Sequence, residues 1–396
     1  MSANRRVLFY SDAPEYGGHE AMTAEAVGHL CRRDELEVSF AYYEGNDRLC
    51  GRLESIKNAT GNLRLIPIPF RSRSLQAVRT LFSRGQIRRI EALMKNNDPE
   101  LVIISQGRIE AGSVGLIAAK RVGIRTISYI PMAHSVSVSG KLIAVGLRDA
   151  LNKYFYRLPD KYITISQSAR NMLLARGAKA DIIVVPNGIE RINIQKSYRK
   201  GFREAHGIME SEYAVAVIGR IEFRQKRQDF ALQAVAHCRQ QLRDWKFLFI
   251  GDGPDEENLR KMIADFGLEE LALILPWSPA RAQFYAGIDM LLIPSRFEGV
   301  PLVMLEAMSC GLRIVASDVD GMADNLPKSW LFPYEDSKAM ISTLIRVRAD
   351  NVSALLEENR KQVAKENTFA EFGFRFANAV LDNELVSAER TESNDS

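Results

Sequence analysis

The sequence predicts an α/β protein made of two doubly wound parallel-sheet domains. Its 396 residues suffice for two domains of ordinary size. Short β-rich runs alternate with segments of helical composition, the pattern of parallel strands covered by helices. The series fills residues 1–188 and starts afresh near residue 211, so one chain carries the pattern twice.

In the first half the runs are RRVLFYSD, LEVSFAYY, LRLIPIP, ELVIISQ, RTISYIP, KYITIS and IIVVPNG. The polar segment 189–210 reads as a linker passing into a helix. The second series, placed at 211–366, is YAVAVIGR, KFLFIGDG, LALILPW, DMLLIPS, RIVASD and SWLFPY. A closing helix is expected at 367–385, where Phe369, Phe372, Phe376 and Val380 recur at helical spacing. Residues 386–396, polar and charged, read as a disordered tail.

Hydrophobic content of 46% and charged content of 26% are those of a globular protein. A net charge of +4 is small for this length and does not indicate a nucleic-acid partner. Four scattered cysteines, Cys31, Cys50, Cys238 and Cys310, have neither metal nor disulfide spacing and read as reduced cytosolic thiols. The N-terminus lacks the apolar run of a signal peptide. No segment approaches the ~20 apolar residues of a membrane span.

The segment PSRFEGVPLVMLEAMSCGLRIVAS, residues 294–317, reads as a loop, a helix and a strand following the strand DMLLIPS. Pro301 suits the first turn of the helix, and Gly311 the position just past its end. Glu298 and Gly299 then lie on the loop after a strand, where open α/β sheets bind ligands. Glu306 lies more than a turn inside the helix. Two carboxylates so placed could bind two sets of hydroxyls at once; Glu306 as a solvated helix acid carries equal weight.

Other loops add weaker signals. Gly17 and Gly18 follow the first strand and precede a helix, so the backbone can approach a ligand closely. Without a P-loop or dinucleotide fingerprint, a plain strand-to-helix turn fits equally. Arg220 and Lys226 leave the first strand of the second half in one loop. Two cations there suit a diphosphate, or form a solvated basic loop. FIGDGPDEENL lacks the third glycine of a dinucleotide site. SDVD, residues 317–320, contains a D-x-D pair but reads as a turn. His134 follows a strand end; such a histidine is more often structural. His19 adjoins the double glycine.

These residues together carry a resemblance. The chain resembles the retaining glycosyltransferases of family 4, which have the GT-B fold. EGVPLVMLEAMSCGLRIVAS looks like that family's E-x7-E motif. GR with a lysine six positions on, VPNGI, IGDGP and the double glycine fit in order and spacing. The resemblance implies two Rossmann-like domains facing across a cleft, with the C-terminal helix crossing back. It implies that residues 1–188 bind the acceptor and 211–366 the nucleotide sugar. Glu298 would bind donor-sugar hydroxyls, with the backbone of Gly299, Val300, Pro301 and Leu302 lining sugar and phosphate. Glu306 would hold the ribose. Arg220 and Lys226 would neutralise the departing diphosphate, Gly17 and Gly18 would approach it, and His134 would face donor sugar or acceptor.

The activity so implied is retaining transfer of a hexosyl or N-acetylhexosaminyl group from a nucleotide sugar to a saccharide or lipid-linked acceptor, in cell-surface polysaccharide or glycolipid synthesis. No cofactor is expected, and no metal. An epimerase or hydrolase on the same fold, or a catalytically silent sugar-binding protein, are the competing classes. Residues 71–90 carry Arg71, Arg73, Arg79, Arg84, Arg88 and Arg89, interleaved with Leu75, Val78, Leu81 and Phe82. Such a stretch suits an anionic membrane surface, or a helix packed on its sheet with a solvated basic face. The segment 141–158 could add to it. A cytoplasmic enzyme, at the inner membrane face if it meets the bilayer, is the expected location.

Overall fold

The computed structural model of the chain describes residues 4–139 and 145–382. The fold divides into two compact units. One runs to Gly188 and takes in the segment from Phe369; the other spans Ile189–Thr368.

The first unit holds seven strands: β1 (Arg5–Ser11), β2 (Leu36–Tyr43), β3 (Leu63–Ile68), β4 (Leu101–Ser105), β5 (Arg125–Tyr129), β6 (Lys161–Thr164) and β7 (Asp181–Val184). Their order in the sheet is β3-β2-β1-β4-β5-β6-β7, and every pairing is parallel. All five residues of β4 are buried, as a strand covered on both faces requires. Ile87, Ile90 and Met94 of the helix Arg84–Asn97 pack with Leu8, Tyr10, Val102 and Ile104 against one face.

The last helix, Phe369–Leu381, belongs to this unit and lies beside the helix Gly18–Leu30. Phe376 contacts the rings of Phe9 and Tyr129, with centroids 6.5 and 5.1 Å away. Asp382 fastens its end: it accepts from Arg125 at 2.5 Å and Lys161 at 2.6 Å. The Arg125 hydrogen bond holds the Asp382 carboxyl down at about 2. The expected tail, 386–396, and the end of the expected helix lie outside the described residues.

The second unit holds six strands: β8 (Tyr213–Ile218), β9 (Trp245–Ile250), β10 (Ala272–Leu275), β11 (Met290–Ile293), β12 (Arg313–Ser317) and β13 (Leu331–Phe332). Their order is β10-β9-β8-β11-β12-β13, again wholly parallel. Each strand expected from the sequence is present.

Residues 189–210, expected as a linker, are built into this unit. Their helix Lys196–Ala205 packs on the helix Arg281–Gly287. Arg203 is fully buried there, donating to the carbonyls of Gly287, Met209 and Glu212 and pairing with Asp289. Polar composition suggested a linker because a buried arginine is rare; here carbonyls and a carboxylate compensate its charge.

Residues 71–90 form two helices, Gln76–Phe82 and Arg84–Asn97, broken at Ser83. The first turns Gln76, Ala77 and Thr80 inward, with Thr80 Oγ1 2.7 Å from Ser113 Oγ. Leu81 and Phe82 instead face outward, Phe82 being 81% exposed. The helix Val145–Phe155 packs beside it and exposes Leu147 and Tyr154. Residues 141–144 of the second basic stretch lie outside the described residues.

Candidate active site

Each sheet reverses its strand order once, between β1 and β4 and between β8 and β11. Ligands of open α/β sheets bind beyond the strand ends at such a point. In the second unit the two loops there are those after Ile218 and after Ile293. The first carries Arg220 and Lys226, the second Glu298 and the start of the helix Leu302–Ser309.

The two loops are tied together. Arg296 N–H donates to Gln225 O at 2.8 Å, and Gln225 Nε2 to Phe297 O at 3.3 Å. Lys226 Nζ lies 2.6 Å from Glu298 Oε1, and Ser295 Oγ donates to the same oxygen at 2.8 Å. Glu298 is buried, so its charge needs these partners. Arg220 leaves the same loop with an exposed side chain, Nε 4.0 Å from Glu222 Oε2.

Glycines make this packing possible. A Cβ on Gly251 would stand 2.0 Å from Gly219 O, and one on Gly253 2.2 Å from Ile221 O. IGDGP therefore lets the turn after β9 press against the backbone beside Arg220; Ile221 N–H donates to Asp252 O at 2.8 Å. A Cβ on Gly321 would similarly meet Gly299 O at 2.1 Å.

SDVD, expected as a turn, instead joins the end of β12 at Ser317 to the helix Asp320–Asn325. Asp320 sits at φ 48° and its Oδ2 accepts from Glu298 N–H at 2.9 Å, so it positions the glutamate loop. Pro301 caps the following helix rather than lying inside its first turn, with ψ 128°. Proline's missing N–H costs nothing at either place. Gly299 and Val300 lead into it, and Leu302 opens the helix.

Glu306 is buried, which removes the solvated-acid alternative. One carboxylate oxygen is paired with Arg281, and the other accepts from Tyr285 OH at 2.6 Å. Arg281 also reaches Glu190 at 2.9 Å. Burial and the Glu306 charge both push the Tyr285 phenol well above its ordinary range. A carboxylate has lone pairs beyond these two bonds, so the site can accept further hydroxyls.

The remaining candidates lie in the first unit. Gly17 precedes the helix Gly18–Leu30, and its N–H donates to Glu20 Oε2 at 2.9 Å. His19, just beyond, is half-buried with its Nδ1 shut off from solvent; Nε2 is 2.9 Å from Ser105 Oγ, and desolvation of the ring lowers its pKa to about 3. His134 follows β5 and lines a small pocket with Arg108, Glu110, Arg148 and Asn152. Sequence reasoning missed Arg281, Tyr285 and Ser295. Arg281 and Tyr285 stand on a separate helix, more than twenty residues before Glu306, and no spacing rule links them to it.

Family models match both halves: one described as Glycosyltransferase Family 4 at residues 16–191, and one described as Glycosyl transferases group 1 at 212–350. The chain belongs to glycosyltransferase family 4. Among its relatives is the amylovoran biosynthesis glycosyltransferase AmsD of Erwinia amylovora, 27% identical over 70% of this chain and 75% of that one. Another is the UDP-Gal:alpha-D-GlcNAc-diphosphoundecaprenol alpha-1,3-galactosyltransferase of Escherichia coli, 25% identical over 63% of this chain and 67% of that one. The structure of HepE from Anabaena in complex with UDP and glucose superposes with a TM-score of 0.77 at 16% identity, covering 96% of this glycosyltransferase and all of HepE. The lipopolysaccharide outer core galactosyltransferase WaaB gives 0.69 at 19% identity, over 95% of this chain and 99% of that one. These likenesses establish the GT-B fold of the enzyme.

Proposed function

We propose that this glycosyltransferase transfers a hexosyl or N-acetylhexosaminyl group, with retention, from a uridine-diphosphate sugar to a lipid-linked saccharide in cell-surface polysaccharide synthesis. The observation that carries the reading is the Lys226–Glu298 pair at the strand reversal of the second sheet. Breaking the anomeric C–O bond leaves positive character on the sugar and negative charge on the diphosphate. Lys226 and Arg220 meet that diphosphate, and the N–H groups opening the helix Leu302–Ser309 add to them. Glu298 accepts from hydroxyls of the donor sugar while Ser295 and Asp320 hold its loop. Glu306, set by Arg281 and Tyr285, accepts from the ribose hydroxyls. Preorganised charge of this kind acts most where charge grows in the transition state.

With two cations and helix N–H groups on the diphosphate, the enzyme is expected to turn over without a divalent metal. The AmsD and galactosyltransferase relatives support a polysaccharide setting and an acceptor on a polyprenyl diphosphate. No helix among the described residues is long and apolar enough to cross a membrane. Exposed Leu81 and Phe82 amid arginines support contact with the anionic inner face of a membrane instead. The test is a panel of nucleotide sugars against the melting temperature, since specific binding stabilises by mass action. A uridine-diphosphate sugar should give the largest shift, and Lys226→Ala should abolish turnover while leaving the fold intact. Full turnover in folded Lys226→Ala would refute the reading.

A further inference from the structure

The turn that carries Lys226 ends on a strained backbone joint. Arg227 caps both the end of the short helix Phe223–Lys226 and the start of the helix Gln228–His237, and it sits at φ 55°. A residue other than glycine takes this left-handed conformation at a cost, and keeps it only where its surroundings over-determine it. Here they do. Arg227 Nη1 donates to Tyr334 OH and to Glu335 Oε1, both on the loop after β13, and Nε lies 3.3 Å from Asp229 Oδ1. The guanidinium also lies over the rings of Phe230 and Tyr334, 5.4 and 5.7 Å from their centroids. Glu335 is itself left-handed, at φ 62°, and accepts from Tyr334 OH at 2.9 Å.

This latch stands one residue from Lys226, whose Nζ rests 2.6 Å from Glu298 Oε1. An ammonium that meets a diphosphate must leave or share that contact, and it rides on a flexible four-carbon stem. Its reach is then set by where its backbone stands. Before Lys226, the backbone is fixed by the bonds between Gln225 and residues Arg296 and Phe297. After it, the next residue is Arg227. Gln228, 1% exposed, donates to Arg220 O at 2.9 Å, so the same joint also touches the backbone of the second cation. Asp320 offers a parallel: it too is left-handed, and it fixes the backbone of Glu298.

We propose that Arg227, latched to Tyr334 and Glu335, is a positioning residue for Lys226, holding its backbone where the ammonium can reach the donor diphosphate. The inference rests on the reading of Lys226 as a cation of that diphosphate. A latch acts through the lysine and not on the nucleotide, so its loss and the loss of the lysine should not add. An arginine whose own charge bound the phosphate would behave otherwise. Its loss would add to that of Lys226, and releasing it from Glu335 would not weaken binding.

Calorimetric titration of the full-length chain with UDP is the test. Arg227→Gly removes the latch at a position whose left-handed backbone glycine takes freely, so the fold should survive. UDP affinity should fall about fivefold or more, and in a Lys226→Ala background the same change should cost less than about twofold. Tyr334→Phe combined with Glu335→Gln breaks the latch from its far side and leaves Arg227 in place. That variant should reproduce the loss, and it decides the matter if Arg227→Gly does not fold. Arg227→Lys, a cation without the planar fork, should lie between wild type and Arg227→Gly. Unchanged UDP affinity in the latch variants would overturn the proposal while leaving the role of Lys226 standing. An equal loss from Arg227→Gly with and without Lys226 would also overturn it, and would make Arg227 a direct phosphate ligand. Wild-type protein that fails to bind UDP would overturn the donor-site reading, and the proposal with it.

Discussion

Glu298 and Glu306 are both buried, yet they are held in different ways, and their variants should separate. Glu298 shares one oxygen between Lys226 and Ser295. Glu306 spreads its charge over Arg281 and Tyr285. A charge-assisted hydrogen bond contributes roughly 1.5–3 kcal/mol. Glu306→Ala should therefore weaken UDP binding about tenfold or more by calorimetry, and Glu298→Ala much less; equal losses would undo the assignment of roles. His19 gives a second residue-scale expectation. Its folded pKa of about 3 lies below its ordinary 6.5, so the fold holds it neutral. Above pH 6.5 both states bind no proton there, and its contribution to stability is full. As pH falls from 6.5 toward 3 the unfolded chain gains the proton first, and stability drops by roughly 1.4 kcal/mol per pH unit. Denaturant titrations at pH 7 and pH 5 should show this slope in the wild type and a shallower one in His19→Gln.

At the scale of elements, the strands and the glutamate loop were legible because buried parallel strands are short continuous apolar runs, and glycine and proline mark their ends. The helix Leu302–Ser309 was placed within one residue by Pro301 and Gly311. Residues 189–210 were misread since a polar sequence gives no sign that Arg203 finds carbonyl partners in space. Asp320 looked like an ordinary turn residue; only its left-handed backbone and its bond to Glu298 N–H reveal its task. The stretch 71–90 had the right composition but not one continuous helix: Ser83 breaks it, and Thr80 rather than Leu81 faces inward. That outward Leu81–Phe82 pair sharpens the membrane expectation. Each basic residue near an anionic surface contributes about 1 kcal/mol, screened by salt. Replacing Arg79, Arg84, Arg88 and Arg89 by glutamine should sharply reduce co-sedimentation with phosphatidylglycerol vesicles. Wild-type protein that ignores such vesicles at low salt would remove the membrane proposal.

At the scale of the molecule, both sheets and their number of strands followed from counting apolar runs, whereas the return of the last helix to the first unit was expected from the family resemblance alone. Phe372, Phe376 and Val380 announced an amphipathic helix, but no periodicity says which sheet it will cover. The structure assigns it to the first unit through Phe9, Tyr129 and the Asp382 clasp. A chain ending at Thr368 should consequently lose first-unit stability. Its calorimetric trace should show the first unit melting several degrees lower, with UDP binding by the second unit retained; an unchanged trace would refute the clasp.

The same arrangement makes residues 189–368 an insertion within the first unit. A ribosome releases the inserted unit whole while the surrounding one still waits for its final helix. Domains generally fold as they emerge. In this protein the earlier-made unit must idle, its Phe9 side uncovered, until some 180 further residues have been translated. Holdase chaperones would find their target there, and a translational pause before codon 369 would lengthen the exposure.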